Sequence, residues 1–160
     1  MNTKELLEWS EKYSIQEKTI SGFWEYLDNW KNEDRSEFYD TFKGKLDPRS
    51  ISVEIYSIQL THIRSYSNFV YCNLRIIFFG NSIGIYRMVF DLEGNIDDDF
   101  IDFDRNFEYV VEKAKDKIRI IKKGIEEGLD IQIISKLIDT KEEIIKPFFE
   151  SQFKEDSNFR

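Results

Sequence analysis

The chain has 160 residues and a net charge of −8, from 31 acids against 23 bases, a balance that opposes phosphate backbones and anionic membranes and favours basic partners. Hydrophobic residues make up 41% and aromatic residues 16%, which supports a packed core and argues against global disorder. Two prolines, seven glycines and a single cysteine leave no linker, no low-complexity segment and no internal disulfide.

The first residues lead into a charged amphipathic stretch with no apolar leader, and no run is long enough to span a bilayer, so the expected location is the cytoplasm. The abundance of isoleucine, lysine and asparagine fits an AT-rich bacterial or phage genome. Residues 3–13 place Leu6, Trp9 and Tyr13 at helical spacing, and Asn2 with Glu5 offers a capping box. A longer helix is expected over 17–31, with Ile20, Phe23, Trp24, Leu27 and Trp30 on one face and Gly22 as a weak point. Asp34 with Glu37 caps a short third helix holding Phe38, Tyr39 and Phe42, which Gly44 ends. Asp47-Pro48 marks a turn, because proline disfavours α geometry in the residue before it.

An antiparallel meander is expected over 51–103. The first strand alternates through Ile51, Val53 and Ile55, then changes phase to Ile58 and Leu60, which places a bulge near Tyr56-Ser57. The second, 66–79, sets Val70, Cys72, Leu74, Ile76 and Phe78 on one face and Phe69, Tyr71, Asn73, Arg75 and Ile77 on the other. Gly80-Asn81 is the expected hairpin turn. The third strand, 82–92, sets Ile83, Ile85 and Val89 against Tyr86, Met88 and Phe90; apolar on both faces, it belongs inside the sheet. Glu93-Gly94-Asn95 turns the chain into a short acidic strand, 96–103.

The longest helix is expected over 105–127, with Val110, Val111, Ala114, Ile118, Ile121 and Ile125 at helical period and a basic far side running from Lys113 to Lys123. Asp130 caps a helix over 131–138. Thr140 with Glu143 forms a capping box for a last helix, which Pro147 ends or kinks, and residues 151–160 read as a frayed tail. The stretch EEGLDIQIISKLIDTKEEIIKPF, residues 126–148, resembles the C-terminal helical tail of bacterial transposase-like and PD-(D/E)XK-type nuclease proteins. Ile138-Asp139-Thr140 stands where that tail has a Gly-Leu-Ser turn, and no acidic strand position is followed by a lysine in the pattern of a nuclease core. The resemblance implies a helical hairpin and no activity.

These elements give an α+β fold in one domain over 1–150: N-terminal helices, a curved antiparallel meander of three or four strands, a long C-terminal helix and a short helical hairpin. Asp91, Glu93, Asp97, Asp98, Asp99, Asp102 and Asp104 put seven acids into fourteen residues. Such crowding reads as a docking surface for a basic protein, such as the cleft of a toxin or nuclease. It also reads as a solvated edge kept from pairing by its charge. As a calcium loop, Asp91 to Asp97 has its glycine too early and lacks a bidentate glutamate. His62 is the lone histidine, Cys72 has no local activating charge, and no phosphate loop, HExxH or CxxC is present. The expectation is a non-enzymatic module without a cofactor, an immunity- or antitoxin-like inhibitor of a basic protein. The alternatives are a nucleic-acid regulator using the basic face 113–123 and the hairpin 130–148, and a ligand pocket lined by Tyr56, Tyr71, Tyr86 and Phe90.

Overall fold

The computed structural model describes residues 1–62 and 68–150; the tail expected at 151–160 and the first residues expected in the second strand lie outside them. Three helices, α1 (Thr3–Lys12), α2 (Ile15–Glu33) and α3 (Arg35–Thr41), precede a four-stranded sheet. Its strands are β1 (Ile51–His62), β2 (Asn68–Phe78), β3 (Asn81–Phe90) and β4 (Ile96–Phe103), antiparallel in the order β1-β2-β3-β4. Helices α4 (Phe107–Glu126), α5 (Ile131–Ile138) and α6 (Glu142–Glu150) follow. The fold is α+β with a meander sheet, as the order of the patterns predicts.

Local chemistry sets the helix ends. Asn2 accepts from the Glu5 amide while Glu5 accepts from the Asn2 amide, the capping box expected for α1. Asp34 accepts from the Glu37 amide at the start of α3, and Asp130 from the Ile133 amide at the start of α5. Thr140 does not complete the expected box. Its hydroxyl donates to the Ile138 carbonyl and accepts from Lys117, so α6 starts at Glu142. Pro147 does not end α6, which runs on to Glu150; Ile145 and Phe148 on either side of it are fully buried, and that packing offsets the cost of the proline.

The buried stripe of α2 is Ile15, Thr19, Phe23 and Leu27, whereas Ile20 points outward. Thr19 can join the stripe because its hydroxyl donates to the Ile15 carbonyl at 2.7 Å. Gly22 lies where α2 crosses β3: a Cβ there would stand 2.2 Å from Met88 Cε and 3.0 Å from Tyr86 Oη. The glycine thus serves a close crossing as well as weakening the helix.

One face of the sheet carries the core. Ile51, Val70, Cys72, Leu74, Ile76, Phe78, Tyr86, Met88 and Phe90 pack there with the buried faces of α2 to α6. Each ladder holds one bulge, where two residues oppose one. Tyr56 is the extra residue of β1, as the phase change predicts. Ile83 is the extra residue of β3, which carries it to the core side, away from Ile85 and Val89 with which alternation grouped it. Asp97 is the extra residue of β4. The β2–β3 turn has Phe79 and Gly80 as its central pair, one residue earlier than expected, because Phe78 pairs with Asn81. Both central residues have positive φ, 46° and 78°, as a tight two-residue hairpin needs, and burial of the Phe79 ring holds it there.

Helix α1 and the start of α2 clamp the β3–β4 turn. Trp9 Nε1 donates to the Leu92 carbonyl at 2.8 Å, Lys18 Nζ to the Gly94 carbonyl at 2.9 Å, and the Tyr13 ring lies against Gly94.

Candidate functional site

The second face of the sheet is separate from the core. Phe69, Tyr71, Ile77, Ile85, Val89 and Phe100 project from it and take no part in the core cluster. A polar row crosses its middle. Ser57, Asn73, Arg87 and Phe100 are direct register partners on β1, β2, β3 and β4. Asn73 donates through Nδ2 to Ser57 Oγ at 2.9 Å and accepts from Arg87 Nε at 2.6 Å. Asn73 is only 2% exposed, so both halves of its amide need these bonds. The Arg87 guanidinium lies 5.4 Å from the centres of both the Tyr71 and Phe100 rings. Beside this row Arg75 pairs with Glu54 at 2.8 Å and sits 4.6 Å over the Tyr56 ring.

The alternation of β4 splits the seven candidate acids. Asp98 and Asp102 oppose Val89 and Ile85 on the open face, with Phe100 between them. Asp97, on the bulge, joins Asp98 at the rim of a shallow dish of about 200 Å³ lined by Phe69, Tyr71, Arg87 and Phe100 and floored by Val89. Asp97, Asp98 and Asp102 are exposed and have no ion-pair partner among the described residues. Asp99 turns to the helix side, accepts from the Tyr86 hydroxyl, and lines a cleft of about 650 Å³ between α2 and the sheet with Glu25, Tyr26, Asn29 and Trp30. Asp91 belongs to the clamped turn. It accepts from the side-chain and backbone nitrogens of Asn95, and these bonds hold its carboxyl below the usual carboxylate range. Glu93 is exposed in the same turn, and Asp104, at the far end, accepts from Ser82 Oγ.

No protein-family model, curated protein or solved structure matches this chain.

The other candidate residues have local roles. His62 is exposed at the end of β1, its Nδ1 2.8 Å from Asn68 Oδ1. Cys72 is fully buried, and burial pushes its thiol pKa up despite a hydrogen bond with Thr19. Tyr86 and Phe90 are core residues, whereas Tyr56 is 53% exposed and Tyr71 lies on the open face, so the sheet itself separates the four aromatics proposed to line one pocket. On the basic side of α4, Lys117 bonds the Asp139 carbonyl and Thr140, Arg119 pairs with Asp116, Lys122 with Asp47 and Lys123 with Glu127. No helix among the described residues is long and apolar enough to cross a membrane.

The polar row was not visible as a site in the sequence. Only Asn73 is legible there, on the mixed face of the second strand, and joining it to Ser57, Arg87 and Phe100 needs the register of four strands.

Proposed function

We propose that this chain is a protein-binding module of the immunity or antitoxin-like kind, which docks a basic protein on its open sheet face. The observation that carries this reading is the dish on that face. Its walls are largely aromatic, its rim holds two carboxylates without an ion-pair partner among the described residues, and its position is fixed by the half-buried Asn73–Arg87 bond. Rigid aromatic rings supply contact area at small entropic cost, which suits the centre of an interface. The exposed carboxylates at Asp97, Asp98 and Asp102 steer an approaching cationic surface and reject anionic ones. A lysine or arginine of the partner meets the rim carboxylates, while the Tyr71 and Phe100 rings, already flanked by the Arg87 guanidinium, supply apolar contact. A protein docked this way covers the basic residues by which a nuclease or similar toxin holds its own substrate.

The test uses the full chain as bait in host lysate, beside a variant with Asp97→Lys, Asp98→Lys and Asp102→Lys. A basic protein retained by the wild type and lost from the variant is the expected result. On the purified pair, the triple change slows association by more than about tenfold and flattens its salt dependence. Phe100→Ala acts mainly by speeding dissociation. Equal binding by wild type and triple variant removes this reading.

A further inference from the structure

On the helix side of the molecule a pocket of about 580 Å³ opens between the α3–β1 connection and α4. Its floor is apolar: Phe42, Leu46, Phe78, Val111 and Ile118. Phe42, Phe78 and Val111 are core residues with 6%, 4% and 1% exposure, so the floor is fixed by packing. The volume falls within the range of roughly 300–1,000 Å³ common for small-molecule sites.

The rim is cationic. Lys43 and Lys45 come from the connection after α3 and Lys115 from α4. None of the three ammonium groups has an ion-pair or hydrogen-bond partner among the described residues. Arg119, Lys122 and Lys123 also line the pocket, but each is tied to an acid: Asp116, Asp47 and Glu127. The carboxylates at the pocket are Asp47, committed to Arg49 and Lys122, and Glu126. Three unneutralised ammonium groups around an apolar floor, in a chain of net charge −8, concentrate positive potential at one concave place.

We propose that this pocket binds a small anionic amphiphile, with its apolar chain or ring on the Phe42–Phe78–Ile118 floor and its carboxylate or phosphate among Lys43, Lys45 and Lys115. Neither half of the site serves a purely polar or purely apolar ligand well. An uncharged chain leaves the ammonium groups without a counter-charge, and a bare anion leaves the floor wet. The pocket shares no residue with the dish on the open face, so this proposal stands or falls separately from the docking reading.

The test is titration of the full chain with dodecanoate and with dodecyl phosphate, each below its micelle-forming concentration, by calorimetry and by amide chemical shifts. Saturable binding of one or both is expected, with shifts centred on residues 42–46, Phe78 and 111–118, and the two headgroups tell carboxylate from phosphate preference. Lys43→Gln, Lys45→Gln and Lys115→Gln together weaken it by about tenfold or more. Lys4→Gln, Lys136→Gln and Lys146→Gln together leave it unchanged, and Leu46→Ser weakens it without touching charge. Equal affinity for dodecyltrimethylammonium, unchanged affinity in the pocket triple variant, or no saturable binding overturns the proposal.

Discussion

Tyr86 and Asp99 meet two residues out of register. Met88 is the residue opposite Asp99, yet the Tyr86 hydroxyl reaches diagonally across the β3–β4 ladder to donate to the Asp99 carboxylate. The Tyr86 side chain is fully buried and its ring packs edge-on against Phe23 and Tyr26, so the hydroxyl has a fixed aim. Tyr86→Phe is expected to cost about 1–3 kcal/mol, and Asp99→Ala a similar amount because it leaves a buried donor unmatched. The double variant should cost little more than either single one, measured by urea unfolding.

The same pair sets the behaviour in alkali. Burial, and then the bond to Asp99, raises the Tyr86 pKa well above its ordinary 10.0; burial and the Asp99 charge also raise that of Tyr26. A tyrosine whose folded pKa is raised contributes stability that is full below the unfolded value and is lost as pH climbs from there. Stability is therefore expected to fall above about pH 10, and less steeply in Tyr86→Phe. Unfolding midpoints between neutral and strongly alkaline pH check this.

Asp47 governs the acid side. Its side chain is 8% exposed and accepts from Arg49 at 2.8 Å and Lys122 at 2.7 Å. Burial pushes its pKa up, but the bonds from Arg49 and Lys122 outweigh this and hold it well below the ordinary 3.8. A depressed folded pKa contributes stability above the unfolded value that is lost as pH falls through the folded one. Stability should decline below about pH 4, and Asp47→Asn should weaken that decline while costing roughly 2–4 kcal/mol at neutral pH. Thermal unfolding across the acid range reads both effects.

Arg87 holds the open face together. Arg87→Met removes the donor from Asn73 Oδ1, a buried acceptor, and should cost about 1–3 kcal/mol. Arg87→Lys should restore little of it, because an ammonium lacks both the Nε donor and the flat stacking face. Chemical denaturation of the three proteins decides.

Gly84 pairs with Phe103 across the β3–β4 ladder. Its φ is +157°, and a Cβ there would lie 2.4 Å from the Asp102 carbonyl oxygen and 3.0 Å from Phe103 Cα. Both are backbone atoms of a paired strand and cannot step aside cheaply. Gly84→Ala should cost about 2–4 kcal/mol, and amide exchange in β4 should speed up ahead of the rest of the sheet.

How much of this was legible depends on what breaks a pattern. The apolar alternation of β1 shows its bulge, because Ile55 to Ile58 breaks a visible period. The bulge at Ile83 is hidden because both faces of β3 are apolar, and that at Asp97 because it lies in a run of three acids. Thr19 is absent from the apolar pattern of α2, and it joins the buried stripe because its hydroxyl bonds a carbonyl of its own helix. The acids of 91–104 are neighbours in sequence, but alternation sends Asp99 to the cleft and the turn claims Asp91, leaving Asp97, Asp98 and Asp102 together. The pocket over α4 joins a loop before the sheet to a helix after it, so nothing local announced it.

Both outer strands of the sheet carry a bulge, Tyr56 on β1 and Asp97 on β4. A kinked edge offers no straight row of amides and carbonyls to a strand from elsewhere. Recognition by backbone, in which a partner or a second copy extends the sheet and nearly any sequence serves, is thereby discouraged at both margins. What the two margins present to their surroundings is side chains held at set positions rather than an open backbone edge.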